Sequence, residues 1–439
     1  MSFEVNFDAL VGPTHNYSGL AYGNIASKDN QLTTSNPQAA ALQGLEKMRF
    51  LDSLGIKQGI IPPQRRPLLD VLRSLGYRGQ DDEILLKAWK LDPHILLSIS
   101  SAASMWAANS ATVTPSCDSN TGLVHITPAN LSSKFHRAIE APATGRILKT
   151  IFSDSRYFVH HEPLPSGTYF SDEGAANHTC FNRKHGTSGV HLFVYGRTSF
   201  QQNLYSPKLF PARQTLEASQ AIARLHQIDP KQILFLQQNP LAIDAGAFHN
   251  DVIAVGNNIA LLYHEKAFCN EENSLEKLGK AILETCNFPM QSIRVTEKQV
   301  PLKDAIESYL FNSQLVTLPD FSMALITPME CQGVPSVYAF LNELTQNPGN
   351  SIGKIHYFNL HQSMRNGGGP ACLRLRIVLT EAELQAVNPH YLFTEELYDK
   401  LVACIKKHYR TSLVAKDLAD PVFFKEAQAA YDALDKIFS

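Results

Sequence analysis

The sequence predicts an α/β fold. Strand-like apolar runs recur from the first residues to the last third of the chain, and helical apolar periodicities fall between several of them. No Pro/Gly/Ser linker, low-complexity tract or composition break divides the chain. Its 439 residues leave room for one large domain or roughly two to three ordinary ones. The unbroken pattern favours one domain over residues 1–439, and a hydrophobic content of 44% supplies its core. No fixed repeat period is visible, so pattern alone does not predict a repeat architecture.

Residues 5–11 read as a short apolar strand. It runs into GPTHNYSGLAYGNIAS, residues 12–27, a polar and aromatic loop suited to forming a substrate wall near a strand end. A helix follows, with Asn36 as cap, Pro37 at its first position and Gly55 at its close; Leu42, Leu45, Leu51 and Leu54 recur at helical spacing. Pro62, Pro63 and Pro67 mark a loop before a helix near 68–75, and ILLSIS at 95–100 reads as a buried strand. The small residues of SAASMWAANSATV then reach Asn109 and allow close backbone packing.

Further strands are expected at Leu123–Ile126, Tyr157–His160, Val190–Tyr195, Ile233–Leu236, Val252–Val255, Ile259–Tyr263, Ser322–Ile326 and Leu373–Leu379. Helices are expected at Thr215–Ile228, Ser274–Cys286, Leu302–Phe311, Val337–Leu344 and Pro421–Phe438. In the second of these, Asn273 with Glu276 resembles a capping box.

Composition narrows the function. Net charge is -2, with no basic run or acidic tail, which argues against nucleic acid or an anionic membrane as partner. No apolar stretch is long enough to span a bilayer. The start, MSFEVNFDALVG, lacks the basic and apolar blocks of a signal peptide, so a cytoplasmic location is expected. Seven scattered cysteines without a CxxC pair point to reduced thiols rather than a disulfide framework or zinc knuckle.

The most informative stretch is MRNGGGPACLRLRI, residues 364–377. Gly367, Gly368 and Gly369 permit turns that side chains forbid, Pro370 fixes the next step, and Leu373–Ile377 alternates apolar and charged as a half-buried strand. Cys372 stands where this loop enters the strand, the place for a nucleophilic thiol or for a small buried hydrophobe.

Other stretches are dense in polar residues. SDEGAANH (171–178) carries Asp172 and Glu173; HITPANLSSKFHRA (125–138) ends on His136 and Arg137; FPARQT (210–215) places Arg213 before a helix. In AIDAGAFHNDVIAVGNN (242–258), His249 and Asp251 are two apart and would share one face of an extended strand leading to a hairpin at Gly256-Asn257-Asn258. A thiol, an imidazole and carboxylates suit attack on a guanidinium carbon, since a carboxylate matches the guanidinium fork. Taken singly, His249 reads as a hydrogen-bonded structural histidine, Asp251 as a turn cap and Arg213 as a surface ion pair.

Together, GPTHNYSGLAYGN, SDEGAANH, FPARQT, AFHNDV and NGGGPACLRLR resemble the N-succinylarginine dihydrolase family of the guanidine-modifying (pentein) superfamily, over nearly the whole chain. The resemblance implies a five-bladed α/β propeller (pentein fold) of ββαβ units, a homodimer and no metal or organic cofactor. It implies hydrolysis of N2-succinyl-L-arginine by two waters to N2-succinyl-L-ornithine, two ammonia and carbon dioxide, in arginine catabolism. It further implies a triad of Cys372 as nucleophile, His249 as general acid/base and Glu173 as its partner. Substrate contacts are implied for Ser18, Gly19, Leu20, Ala21, Tyr22, Gly23, Asn24, Ile25, Ala26 and Ser27, and for Asn109, His136, Arg137, Arg213, Asp251 and Asn366. Asp251 then grips the guanidinium, and Arg213, Arg137 and Asn109 meet the carboxylates.

Three alternatives have distinct signatures. A metallohydrolase would draw on His160-His161-Glu162, or on His178, Cys180 and His185, but the chain has no HExxH and these spacings fit no common zinc site. A binding protein for an arginine-like ligand would keep Asp251 and Arg213 without needing Cys372. A deiminase or amidinotransferase would share the thiol chemistry.

Overall fold

The structure, a computed structural model, describes residues 2–201 and 205–439. Among them the strands form five three-stranded sheets of one repeated design. At the start of the chain, β1 (Ser2–Ala9) crosses over through the helix Pro37–Ser53 to a parallel β2 (Lys57–Ile61). Next come β3 (Ala111–Thr114) antiparallel to β4 (Val124–Pro128), then the helix Ala141–Ile151 and a parallel β5 (Phe158–His160). The unit repeats as β6 (His178–Asn182), β7 (Gly189–Tyr195), helix Leu216–Leu225 and β8 (Ile233–Gln237). It repeats again as β9 (Ala254–Asn257), β10 (Ala260–His264), helix Glu271–Cys286 and β11 (Gln291–Val295). The next is β12 (Gln314–Thr317), β13 (Met323–Pro328), helix Pro335–Gln346 and β14 (Ile352–Phe358). Finally β15 (Arg374–Thr380) pairs antiparallel with β1, with Val5 opposite Ile377. The first and last strands thus complete one blade of a five-bladed α/β propeller, and helices follow it from Glu381 to Ile437.

Four crossover helices bury one face on their own sheet, whereas Glu271–Cys286 lies against the β6–β8 sheet of the neighbouring blade. In Pro37–Ser53 that face is Ala41, Leu45, Met48 and Leu51, and the Asn36 side chain accepts from the Ala39 N–H at 2.8 Å to cap the first turn. Apolar side chains of β1, the helix Pro37–Ser53 and β15 merge into one core, and those of the β6–β14 blades into another. Toward the middle of the ring lies a cavity of about 110 Å³ lined from β3, β6, β9 and β15. Among the described residues no helix is long and apolar enough to cross a membrane.

Four local expectations differ from the structure. Residues 95–100 lie in the helix Pro93–Ser100, not in a strand: Pro93 occupies its first turn, and an apolar run this short carries no periodicity to separate the two states. Asn273 and Glu276 lie inside the helix Glu271–Cys286, which Asn270 opens from a left-handed conformation without a side-chain cap. The helix expected over 302–311 ends at Glu307, and left-handed Tyr309 (φ 55°) starts a separate 3-10 turn, Leu310–Asn312. Asp251 is not on a strand. His249 is extended, but Asn250–Val252 is a 3-10 turn, and the strand begins only at Ala254.

Candidate active site

Cys372 sits two residues before β15. The helix His361–Asn366 ends at Gly367, whose φ of 98° is left-handed. A side chain there would run into Asn24, and one at Gly368 into the Trp106 ring, so the loop packs closer than any larger residue permits. Asn312 then fixes the turn: its Oδ1 accepts from the N–H groups of Gly369 at 2.9 Å and Cys372 at 3.4 Å. The Cys372 thiol is 3% exposed and lies 3.7 Å from Asp251 Oδ2. Burial, and then the Asp251 charge, hold that thiol well above its ordinary value. Burial also raises the Asp251 carboxyl, whose Oδ1 has no partner among the described residues.

His249 Nε2 meets Glu173 Oε2 at 2.7 Å, and its Nδ1 has no partner among the described residues. Glu173 is held from several sides. Its N–H donates to Gln214 Oε1 at 2.7 Å, its C=O accepts from Asn109 Nδ2 at 2.7 Å, and Ser133 Oγ donates to Oε1. Burial pushes the Glu173 carboxyl up, but the His249 bond and charge, with Arg213 and Ser133, outweigh it and hold it down at about 2. Its neighbour Asp172 faces away, accepting from Gln214 and the Gly174 N–H, and burial raises it to about 6.

Cys372 and His249 line one small cavity of about 30 Å³ together with Ala21, Asn24, Asn109, His136, Arg137, Arg213 and Asn366, all expected from the sequence. Arg213 NH2 donates to the Tyr22 carbonyl at 3.2 Å, its NH1 lies 4.0 Å from Glu173, and its guanidinium covers the Phe248 ring at 4.7 Å. Arg137 is held by Glu140 at 3.0 Å and by Asn109 at 3.4 Å. Burial, reinforced by Arg137, Arg213 and Lys134, keeps His136 well below its ordinary value. Asn366 Nδ2 meets His15 Nε2 at 3.3 Å.

The loop 18–27 contributes unevenly. Ala21 and Asn24 are in the lining, and Tyr22 reaches it through its carbonyl. Ser18, Gly19, Leu20, Gly23, Ile25, Ala26 and Ser27 are not in the lining. They shape the segment instead: Gly19 turns it at φ 65°, and Ser27 N–H donates to Asn24 Oδ1 at 3.1 Å to start the helix Ile25–Asp29. Sequence reasoning missed Trp106, Lys134 and Phe248 in the lining and Asn312 beneath the thiol. Lys134 stood in view two residues before His136, and its lysine charge close to the expected Arg137 was the available signal.

The metal-ligand sets weighed from the sequence do not converge. His160 bonds the Phe152 carbonyl, His161 meets His125, and Glu162 pairs with Lys149. His185 Nε2 lies 3.3 Å from Glu4, and His178 Nε2 meets His191 Nδ1.

The fold and the site, a thiol against a carboxylate with an imidazole–carboxylate pair and a cationic wall, define a pentein-type protein. The N-terminal domain of ArgZ, an arginine dihydrolase from Cyanobacteria, shares the fold: TM-score 0.52, 16% identity, covering 85% of this chain and 97% of that one. Closer likeness comes from sequence. The family model for succinylarginine dihydrolase matches residues 1–439. The N-succinylarginine dihydrolase of Nitrosospira multiformis is 53% identical over 438 residues, covering 99% of this chain and 97% of the relative. That of Idiomarina loihiensis is 50% identical over 435 residues with the same coverage. The chain belongs to the succinylarginine dihydrolase family.

Proposed function

We propose that the chain hydrolyses N2-succinyl-L-arginine with two waters to N2-succinyl-L-ornithine, two ammonia and carbon dioxide, through a covalent adduct on Cys372. Family membership over the full chain supports the reaction. One observation carries the mechanism: the Cys372 thiol lies 3.7 Å from Asp251 and lines the same cavity as His249, which is paired with Glu173 at 2.7 Å.

The free site holds the thiol protonated, because burial and Asp251 both oppose a thiolate. A guanidinium seated on Asp251 brings a positive charge to that spot and favours the thiolate, so the nucleophile forms where the substrate is. The thiol proton passes to His249, the sulfur attacks the guanidinium carbon, His249 returns the proton to the departing ammonia, and Glu173 stabilises the transient imidazolium. Water activated by His249 breaks the C–S bond and leaves a ureido compound. In a second round the sulfur attacks the ureido carbon and expels the second ammonia, the second water cleaves the new C–S bond and restores the thiol, and the carbamate released loses carbon dioxide to leave succinylornithine. The ureido carbon is neutral, so donors near Asn366 and the glycine loop take up the developing negative charge.

Arg213, Arg137 and Asn109, with Lys134 beside them, form the end that meets the α- and succinyl carboxylates. We read residues 1–439 as one catalytic domain, acting as a homodimer in the cytoplasm. The shared core of the first and last strands supports the single unit. Counting ammonia and succinylornithine at complete conversion tests the reaction. A ratio near two with carbon dioxide formed is expected; a ratio of one with succinylcitrulline accumulating would replace the dihydrolase by a deiminase and leave the first step intact.

A further inference from the structure

Away from this cavity a second cysteine, histidine and aspartate meet. We infer that Asp118, Cys180 and His191 form a divalent-metal site of the zinc class, separate from the catalytic thiol, that pins the β3–β5 blade to the β6–β8 blade. Cys180 and His191 are direct cross-strand partners on β6 and β7, so their side chains share one face. Asp118 comes from the 3-10 turn Ser116–Asp118 that follows β3 in the neighbouring blade.

The three donor atoms already stand at ligand spacing. Cys180 Sγ is 3.5 Å from Asp118 Oδ2 and 3.7 Å from His191 Nε2, and His191 Nε2 is 3.1 Å from Asp118 Oδ2. Zinc–sulfur, –nitrogen and –oxygen bonds of about 2.3, 2.05 and 2.0 Å at tetrahedral angles require edges of about 3.5, 3.5 and 3.3 Å. An ion fits among these atoms with shifts of a few tenths of an ångström.

Each ligand is also held from behind. Asp118 Oδ1 accepts from the Gly189 N–H at 2.8 Å and from Gln232 Nε2 at 3.1 Å, which turns Oδ2 toward the other two. His191 Nδ1 meets His178 Nε2 at 2.9 Å, fixing the ring. Asp118 and His191 side chains are fully buried, while Cys180 borders the 110 Å³ central cavity, which gives an ion its route and a water its fourth position. A thiolate–imidazole–carboxylate set selects zinc or cobalt over magnesium or calcium. Without an ion, the same contacts are thiol and imidazole hydrogen bonds to a carboxylate, so the test must see the metal–sulfur bond itself.

Cobalt(II) is the probe, added to chelator-treated protein carrying Cys372→Ala so that the catalytic thiol cannot answer. One cobalt per chain is expected, with a thiolate-to-cobalt charge-transfer band in the near ultraviolet that zinc(II) abolishes on displacement. The band should vanish in Cys180→Ser made on the same background, and the nearly isosteric Asp118→Asn should weaken binding at least ~10-fold. Zinc should raise the melting temperature of the Cys372→Ala protein and leave the Cys180→Ser double variant unmoved. Absence of the band at excess cobalt overturns the site, as does a band that survives Cys180→Ser. If Cys180→Ser fails to fold, undiminished cobalt affinity in Asp118→Asn overturns it instead.

Discussion

Two clusters in this molecule use the same residue types and arrange them differently. Around Cys180 the thiol, imidazole and carboxylate touch one another, and the acid and histidine are sealed from solvent. Around Cys372 the roles are split between two carboxylates: Asp251 takes the thiol, and Glu173 takes the histidine. The first arrangement closes on itself and leaves room for one ion. The second holds thiol and imidazole apart on the wall of one cavity, with cations beyond. Composition alone therefore does not separate the two clusters; what differs is that Cys372 and His249 have different carboxylate partners and both line one cavity.

The sharpest break between the two is the exchange of sulfur for oxygen. Cys372→Ser should bind substrate and turn over at least ~100-fold more slowly, because a neutral hydroxyl is a far weaker nucleophile. Cys180→Ser should change turnover only modestly. Steady-state rates on both variants decide this, and near-normal turnover by Cys372→Ser would end the nucleophile assignment.

Substrate choice comes next. Free arginine lacks the succinyl carboxylate and leaves Arg213 and its neighbours unmatched, so kcat/KM should fall on the order of 100-fold or more against succinylarginine. Equal values for the two would favour the deiminase reading.

Asp251→Asn separates two effects of one charge. Loss of the charge-assisted pair, worth roughly 1.5–3 kcal/mol, should weaken both substrate binding and turnover. The same change removes a charge that opposes the thiolate, so iodoacetamide should alkylate Cys372 faster in the variant at neutral pH. His249→Ala, by contrast, should chiefly lower turnover. Unchanged binding and rate in Asp251→Asn would remove Asp251 from the site.

The smallest effect is on stability. The folded Glu173 carboxyl sits at about 2, below its ordinary 4.5. Its contribution is fully present above about pH 4.5 and is lost as the pH falls through about 2. Thermal melts of the wild type and Glu173→Gln should therefore converge as the solution is acidified across that window. Parallel curves would show that the ionised Glu173–His249 pair does not stabilise the fold.

Much of this site was legible because its residues sit in dense, local stretches. Glu173, Arg213 and Cys372 each stand beside glycine or alanine and His249 stands beside Asn250 and near Asp251, and all four reach one neighbourhood. What escaped depends on long-range approach. Asn312 supports the thiol loop from 60 residues away, and nothing near it marks that role. Trp106 lines the cavity because Gly368 lets the loop lie against its ring, a contact set by packing between blades. The fold shows the same division. Long amphipathic helices such as Pro37–Ser53 declared themselves, whereas inner strands of four residues, such as Ala111–Thr114, are too short to show alternation.

The pairing of β1 with β15 sets an order on the protein's own synthesis. The first strand leaves the ribosome with its antiparallel edge open, and its partner is nearly the whole chain away. Throughout translation that edge, bearing Val5 and Phe7, is a place where nascent chains can pair wrongly. Cys372 is made two residues before the strand that closes the ring, so the thiol meets Asp251 only at the end. A chain truncated before Thr380 loses part of its last strand along with the closure that encloses the Cys372 thiol. Burial of this thiol therefore waits on the strand that closes the ring.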